Sequence, residues 1–133
     1  MKIKNVVVIG SGTMGSGIAA HLCNANIPVT LLDLKTEISE KARDRIYKSK
    51  PPLLLDKSKI NNINIGNIKD DFDTVKDADW IVEAVVERID IKHDIYDKIF
   101  KNRKKGAIVS SNTSSIPIKV LSQKLTEEEK KDF

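Results

Sequence analysis

Six glycines occur in this chain of 133 residues, and four of them stand at positions 10, 12, 15 and 17. The first three fall in Gly10-Ser11-Gly12-Thr13-Met14-Gly15, directly after the apolar run Val6-Val7-Val8-Ile9. That spacing suits a pyrophosphate. Gly10 permits a tight turn, Gly12 has no Cβ to hold off phosphate oxygens, and Gly15 lets a following helix lie close to the strand. Free N–H groups of the loop and the first helical turn, at Thr13 and Met14, then face the anion with the positive end of the helix dipole. Asp33 follows 18 residues after Gly15, at the expected end of a second apolar run. A carboxylate there accepts hydrogen bonds from the adenosine ribose hydroxyls and repels a 2′-phosphate, which favours NAD over NADP. Lys35, two residues on, softens that exclusion.

These residues need strands and helices to hold them. Residues 5–9 read as a fully buried strand, and 13–25 as a helix with Met14, Ile18 and Leu22 on one stripe. A second strand is expected over 29–32, then a charged helix over about 36–49, stopped by Pro51-Pro52. Further strands are expected over 61–65, 79–86 and 107–109, with an amphipathic helix over 90–104 and a last helix starting near Ile116. Alternation of this kind, with buried strands, gives an α/β fold: a doubly wound parallel sheet of the Rossmann type, one domain over residues 1–133.

Composition narrows the classes. The chain is 40% hydrophobic and 32% charged with a net charge of +4, which excludes disordered and collagen-like chains. No apolar run approaches the roughly 20 residues needed to cross a bilayer, so no membrane partner is expected. One cysteine cannot form an internal disulfide, and a cytoplasmic setting is the simplest expectation. No metal-ligand pattern is present. Residues 35–59 hold eight basic and four acidic side chains, equal to the whole net charge. Only Tyr47 is aromatic there, so a solvated helix face is expected rather than a nucleic-acid surface.

Gly10-Ser-Gly-Thr-Met-Gly-Ser-Gly-Ile-Ala-Ala-His resembles the opening of the 3-hydroxyacyl-CoA dehydrogenases. Ala78-Asp-Trp-Ile-Val-Glu-Ala-Val-Val-Glu87, Lys92 and Ser111-Asn-Thr-Ser-Ser115 agree with the same family, from about residue 4 to the last. The resemblance implies an NAD-dependent oxidation of (S)-3-hydroxyacyl-CoA to 3-ketoacyl-CoA in fatty-acid β-oxidation, with an acyl-CoA as substrate. It implies that Glu87 lies at the nicotinamide side of NAD and that Lys92 bonds a cofactor ribose. Ser114, by the same resemblance, touches the nicotinamide region and the substrate's 3-oxygen, and is the candidate catalytic residue. All three fall at or beyond the carboxyl ends of expected strands, where open α/β sheets bind ligands. Residues 35–59 stand where the family has a helical excursion that contributes to CoA binding.

The resemblance also implies a general-base histidine in a His-Phe-Phe-Asn-Pro run and a C-terminal helical domain. Here the only histidines are His21 and His93, both expected as ordinary helix residues. The sheet is thus expected to stop short of its last strand, and the chain to bind NAD without turnover. An excised cofactor domain, half of a split enzyme completed by a partner chain, and a non-catalytic NAD-binding module or remnant all stay open. Residues 107–110 are expected to form an open apolar edge that invites homo-oligomer formation.

Overall fold

Alternate residues of β1 (Val6–Ile9) point to opposite faces of a sheet, and all four are buried. A computed structural model describes residues 2–113 and 115–133. On one face, Val6 and Val8 pack with Ala19, Leu22 and Cys23 of α1 (Thr13–Asn24) and with Ala42 and Ile46 of α2 (Thr36–Lys48). On the other, Val7 and Ile9 pack with Ile95, Tyr96 and Ile99 of α3 (Ile89–Asn102). Helices on both faces explain why the strands read as continuous apolar runs.

β2 (Val29–Asp33), β3 (Ile63–Asn67), β4 (Trp80–Glu83) and β5 (Ile108–Ser111) complete a five-stranded parallel sheet of order β3-β2-β1-β4-β5. The order reverses between β1 and β4, so the doubly wound expectation is met and a crevice opens at the carboxyl ends of those two strands. Two short helices follow, α4 (Ile118–Leu121) and α5 (Glu127–Lys130), the second closed by a capping box between Thr126 and Glu129. Among the described residues no helix is long and apolar enough to cross a membrane.

Several boundaries differ from the sequence expectation for local reasons. β3 begins at Ile63 rather than 61, because Asp56 caps a 3-10 turn over Lys57–Asn62. β4 stops at Glu83 rather than 86, because the Glu83 carboxylate accepts the Val85 N–H at 2.8 Å and curls the chain out of the sheet. The helix expected from near Ile116 starts at Ile118, with Pro117 as its cap rather than inside its first turn, and α5 follows it.

The open edge expected over 107–110 is met in part. β5 is an edge strand, but its Val109 N–H donates to the Asp132 carbonyl at 2.7 Å. Arg103 bonds the Asp132 carboxylate and the Ala107 carbonyl, at 2.7 and 2.8 Å. Phe133 stands edge-on to Tyr96 with 5.0 Å between ring centroids. Ala107 and Val109 are buried, and Ile108 alone of that stretch is an exposed large hydrophobe. The C-terminal residues therefore cover part of this edge.

Asp79 locks the opposite end of the central strands. Its carboxylate accepts the N–H groups of Lys4 and Asn5 and pairs with Lys104. The Lys104 side chain, and then those two N–H groups, hold its carboxyl down at about 2, below the ordinary 3.8. A depressed folded-state value means the ionised form stabilises the fold above 3.8 and loses that contribution as pH falls towards about 2. Asp79→Asn is expected to lower the thermal midpoint at neutral pH and to flatten its decline across that acid window, read by circular dichroism melts.

Candidate functional site

The β1–α1 loop is shaped by two glycines that nothing larger could replace. Gly10 has φ +104°, and a Cβ there would run into the Ala84 carbonyl. A Cβ on Gly15 would strike the Gly10 carbonyl, so glycine sets how closely α1 approaches the sheet. Gly12 is different. A Cβ there meets nothing within 4 Å, so its outer side is open space at the head of α1.

Ser11, almost wholly buried, organises the loop. Its N–H and hydroxyl both donate to Asp33 Oδ2, at 2.8 and 2.6 Å. Its carbonyl accepts the Ser16 hydroxyl at 2.8 Å and Arg45 Nη2 at 3.1 Å. Across a trans peptide the C=O and the next N–H point in opposite directions. Holding the Ser11 carbonyl against α1 and α2 therefore turns the Gly12 N–H away from them. Asp33, whose Oδ1 accepts the Leu34 N–H at 2.7 Å, stands at the end of β2 beside this loop. Thr13 and Met14 lie in the first turn of α1 with exposed side chains. The glycine loop and the Asp33 carboxylate are thus one hydrogen-bonded unit.

A second cluster lies across the crevice. Glu83, at the end of β4, and Lys92, on α3, have fully buried side chains 2.8 Å apart. The Glu83 carboxylate also accepts from Val85 N–H at 2.8 Å, Tyr96 hydroxyl at 2.5 Å and Ser111 hydroxyl at 2.6 Å. Four donors satisfy an ionised carboxylate completely. Burial, and then the bond to Glu83, push the Tyr96 phenol far above its ordinary 10, so it remains a donor. Lys92 Nζ reaches the Asn112 carbonyl at 3.3 Å and Glu87 Oε1 at 3.4 Å. Glu87 in turn accepts the Thr113 hydroxyl at 2.8 Å and the Ser115 N–H at 3.3 Å.

Glu87 and Lys92 are therefore brought together, Lys92 on Asn112 and Glu87 on Thr113 and Ser115. Ser114 itself lies outside the described residues. Ser11, Arg45, Glu83, Tyr96 and Ser111 were missed as contributors to the site. The apolar run 79–86 gave one signal, since Glu83 is an acid inside a buried strand and needs a buried partner. His93 contacts the Val120 carbonyl at 2.9 Å, and His21 is exposed on α1. The basic segment is largely spent on structure: Lys48 pairs with Asp44, Lys57 lies over the Tyr47 ring, and Lys59 bonds Asn26.

A glycine turn at the head of a helix, an acid closing the next strand and a topological switch beside them define a dinucleotide-binding domain, and these residues fit NAD. The family profile of the "3-hydroxyacyl-CoA dehydrogenase, NAD binding domain" matches residues 5–132. The chain belongs to that family and is its NAD-binding domain. A 3-hydroxyacyl-CoA dehydrogenase of Deinococcus radiodurans is 43% identical over 125 residues, which cover 89% of this chain and 36% of that protein. A fatty acid oxidation complex trifunctional enzyme of Rickettsia felis is 42% identical over 139 residues, 99% of this chain and 19% of that protein. The (S)-3-hydroxybutyryl-CoA dehydrogenase of Ralstonia eutropha superposes with a TM-score of 0.77 at 29% identity, over 92% of this chain and 45% of that one. The chain thus spans about a third or less of the two curated relatives just described.

The buried pair yields a stability prediction. Glu83→Gln leaves the Lys92 ammonium buried with less opposing charge and is expected to cost about 3–5 kcal/mol. Adding Lys92→Met should recover most of that loss, as read by urea denaturation. Equal instability of the single and double variants would show that the charges are not what couples these side chains.

Proposed function

We propose that this chain is the cofactor-holding part of an enzyme that oxidises (S)-3-hydroxyacyl-CoA to 3-ketoacyl-CoA. The observation that carries the reading is the Ser11 link, which joins the glycine loop to Asp33 while leaving the outer side of Gly12 open. In the proposed arrangement Gly10, Gly12, Thr13, Met14 and Gly15 present the loop and helix head to the pyrophosphate. Asp33 takes the adenosine ribose, and Glu87 and Lys92 serve the nicotinamide half. NAD, when bound, supplies the hydride acceptor. Ser114 would orient the substrate's 3-oxygen, a role supported by its motif and by the fastening of Thr113 and Ser115 to Glu87.

The proposal extends to what surrounds the domain. The general base and the helical domain of the complete enzyme would come from further polypeptide or a partner chain. Exposed Lys35, Lys41 and Lys50, in the basic segment, are candidates for CoA phosphate contact. The 133 residues alone are expected to bind cofactor without acyl-CoA-dependent turnover, since His21 and His93 are helix residues of α1 and α3 and neither stands in a His-Phe-Phe-Asn-Pro run. A reducing, cytoplasmic setting fits the single buried thiol, Cys23.

Calorimetric titration with NADH and NADPH tests the reading. NADH should bind, and NADPH should bind roughly ten-fold or more weakly, because its 2′-phosphate faces the Asp33 carboxylate. Gly12→Asp should abolish NADH binding with the melting temperature little changed, since the new side chain enters open space. Unchanged affinity in that variant would sink the assignment of the phosphate site.

A further inference from the structure

Arg45, exposed near the end of α2, is spent on neither an acid nor a ring. Its Nη2 donates to the Ser11 carbonyl at 3.1 Å. Asp44 beside it pairs with Lys48 at 3.1 Å, and among the described residues Arg45 has no ion-pair partner. The peptide it grips is the one whose other end heads α1. The Ser11 carbonyl and the Gly12 N–H belong to one planar trans unit, so they point in opposite directions. The Ser16 hydroxyl donates to the same carbonyl at 2.8 Å, so both acceptor positions of that oxygen are taken. The Gly12 carbonyl is taken too, by the Ser16 N–H at 2.8 Å. Among the described residues nothing accepts from the Gly12 N–H, and a Cβ on Gly12 would meet nothing within 4 Å. A cation at the carbonyl end fixes the tilt of this peptide. It also polarises the unit, so that the N–H at the far end becomes a stronger donor.

We propose that Arg45 is a positioning residue for the cofactor's pyrophosphate, acting through the Ser11–Gly12 peptide and not by contact with the ligand. The inference rests on the reading of the glycine loop as the pyrophosphate site. An N–H that is aimed and strengthened from behind suits an acceptor that is anionic and carries several oxygens, as a phosphodiester does. Asp33 treats the preceding peptide in the same way with the opposite sign of charge, since its carboxylate takes the Ser11 N–H at 2.8 Å. Two consecutive peptides of the loop are thus each fixed by an ionic side chain, one from β2 and one from α2. Asp33 serves the adenosine end of the ligand, and Arg45 serves the phosphate end.

The test compares dissociation constants for NADH, ADP-ribose and adenosine, the last of which has no phosphate. It adds the Gly12 amide signal in NMR spectra of the ligand-free chain. Arg45→Met keeps most of the side chain's length and removes its charge and donors. It should weaken NADH and ADP-ribose alike by about ten-fold, leave adenosine unchanged, and move the Gly12 amide proton upfield. Arg45→Lys keeps a cation that can donate to the same carbonyl, and should restore most of both effects. Lys48→Met removes a positive charge from the same helix and should alter neither. Arg45 is exposed, so the melting temperature of Arg45→Met should stay near that of the parent chain. Three results overturn the positioning role while the cofactor site stands. They are unchanged ADP-ribose affinity in Arg45→Met, an equal loss for adenosine, and a loss for ADP-ribose with the Gly12 signal unmoved. A parent chain that binds neither NADH nor ADP-ribose overturns the site reading and this inference with it.

Discussion

The Glu83 carboxylate is the contact on which the nucleotide-facing end of the sheet depends. It draws a donor from its own loop, two from α3 and one from β5, so four segments meet on two oxygen atoms. Its main-chain carbonyl also accepts the Asn112 N–H at 2.7 Å, which continues β4–β5 pairing one residue past the strand. A buried ion pair is poor evidence for stability, because desolvation offsets most of the Coulomb gain. Its value here is geometric. An apolar replacement of similar volume would fill the space but would not specify where Val85, Ser111 and Asn112 lie.

The other half of the crevice is organised by the same means, with a smaller side chain. Ser11 spends every polar atom it has, donating twice to Asp33 and accepting from Ser16 and Arg45. The loop is therefore fixed before any ligand arrives, and little conformational entropy remains to be lost on binding. The tight contacts at Gly10 and Gly15 serve the same end by setting the loop against Ala84 and the helix against the sheet.

Sequence order revealed much of this architecture because the decisive signals are local. Strand, glycine turn and helix follow one another between residues 5 and 25, and Asp33 ends the next strand, so the fold and the place of the glycine loop beside Asp33 were legible. What escaped was the tertiary pairing. Lys92 and Tyr96 sit one turn apart on an amphipathic helix, where a lysine reads as solvated, yet both are buried against an acid 9 and 13 residues earlier. Arg45 belonged to a run of mixed charges, and nothing in that run singles out the one residue that reaches Ser11. The partial cover of the β5 edge escaped for the same reason. Pairing between Val109 and Asp132 spans 23 residues, and neither residue type announces it.

The Tyr96 ring has two sides with separate duties. Its hydroxyl end holds Glu83, and its carbon edge carries Phe133, which also leans on Phe100 with ring centroids 6.5 Å apart. A pull or push on the chain at Phe133 is thus transmitted through a rigid aromatic ring to the carboxylate that sets the crevice floor. Whatever polypeptide is joined or docked at that corner gains mechanical purchase on the ends of β4 and β5 without entering the crevice.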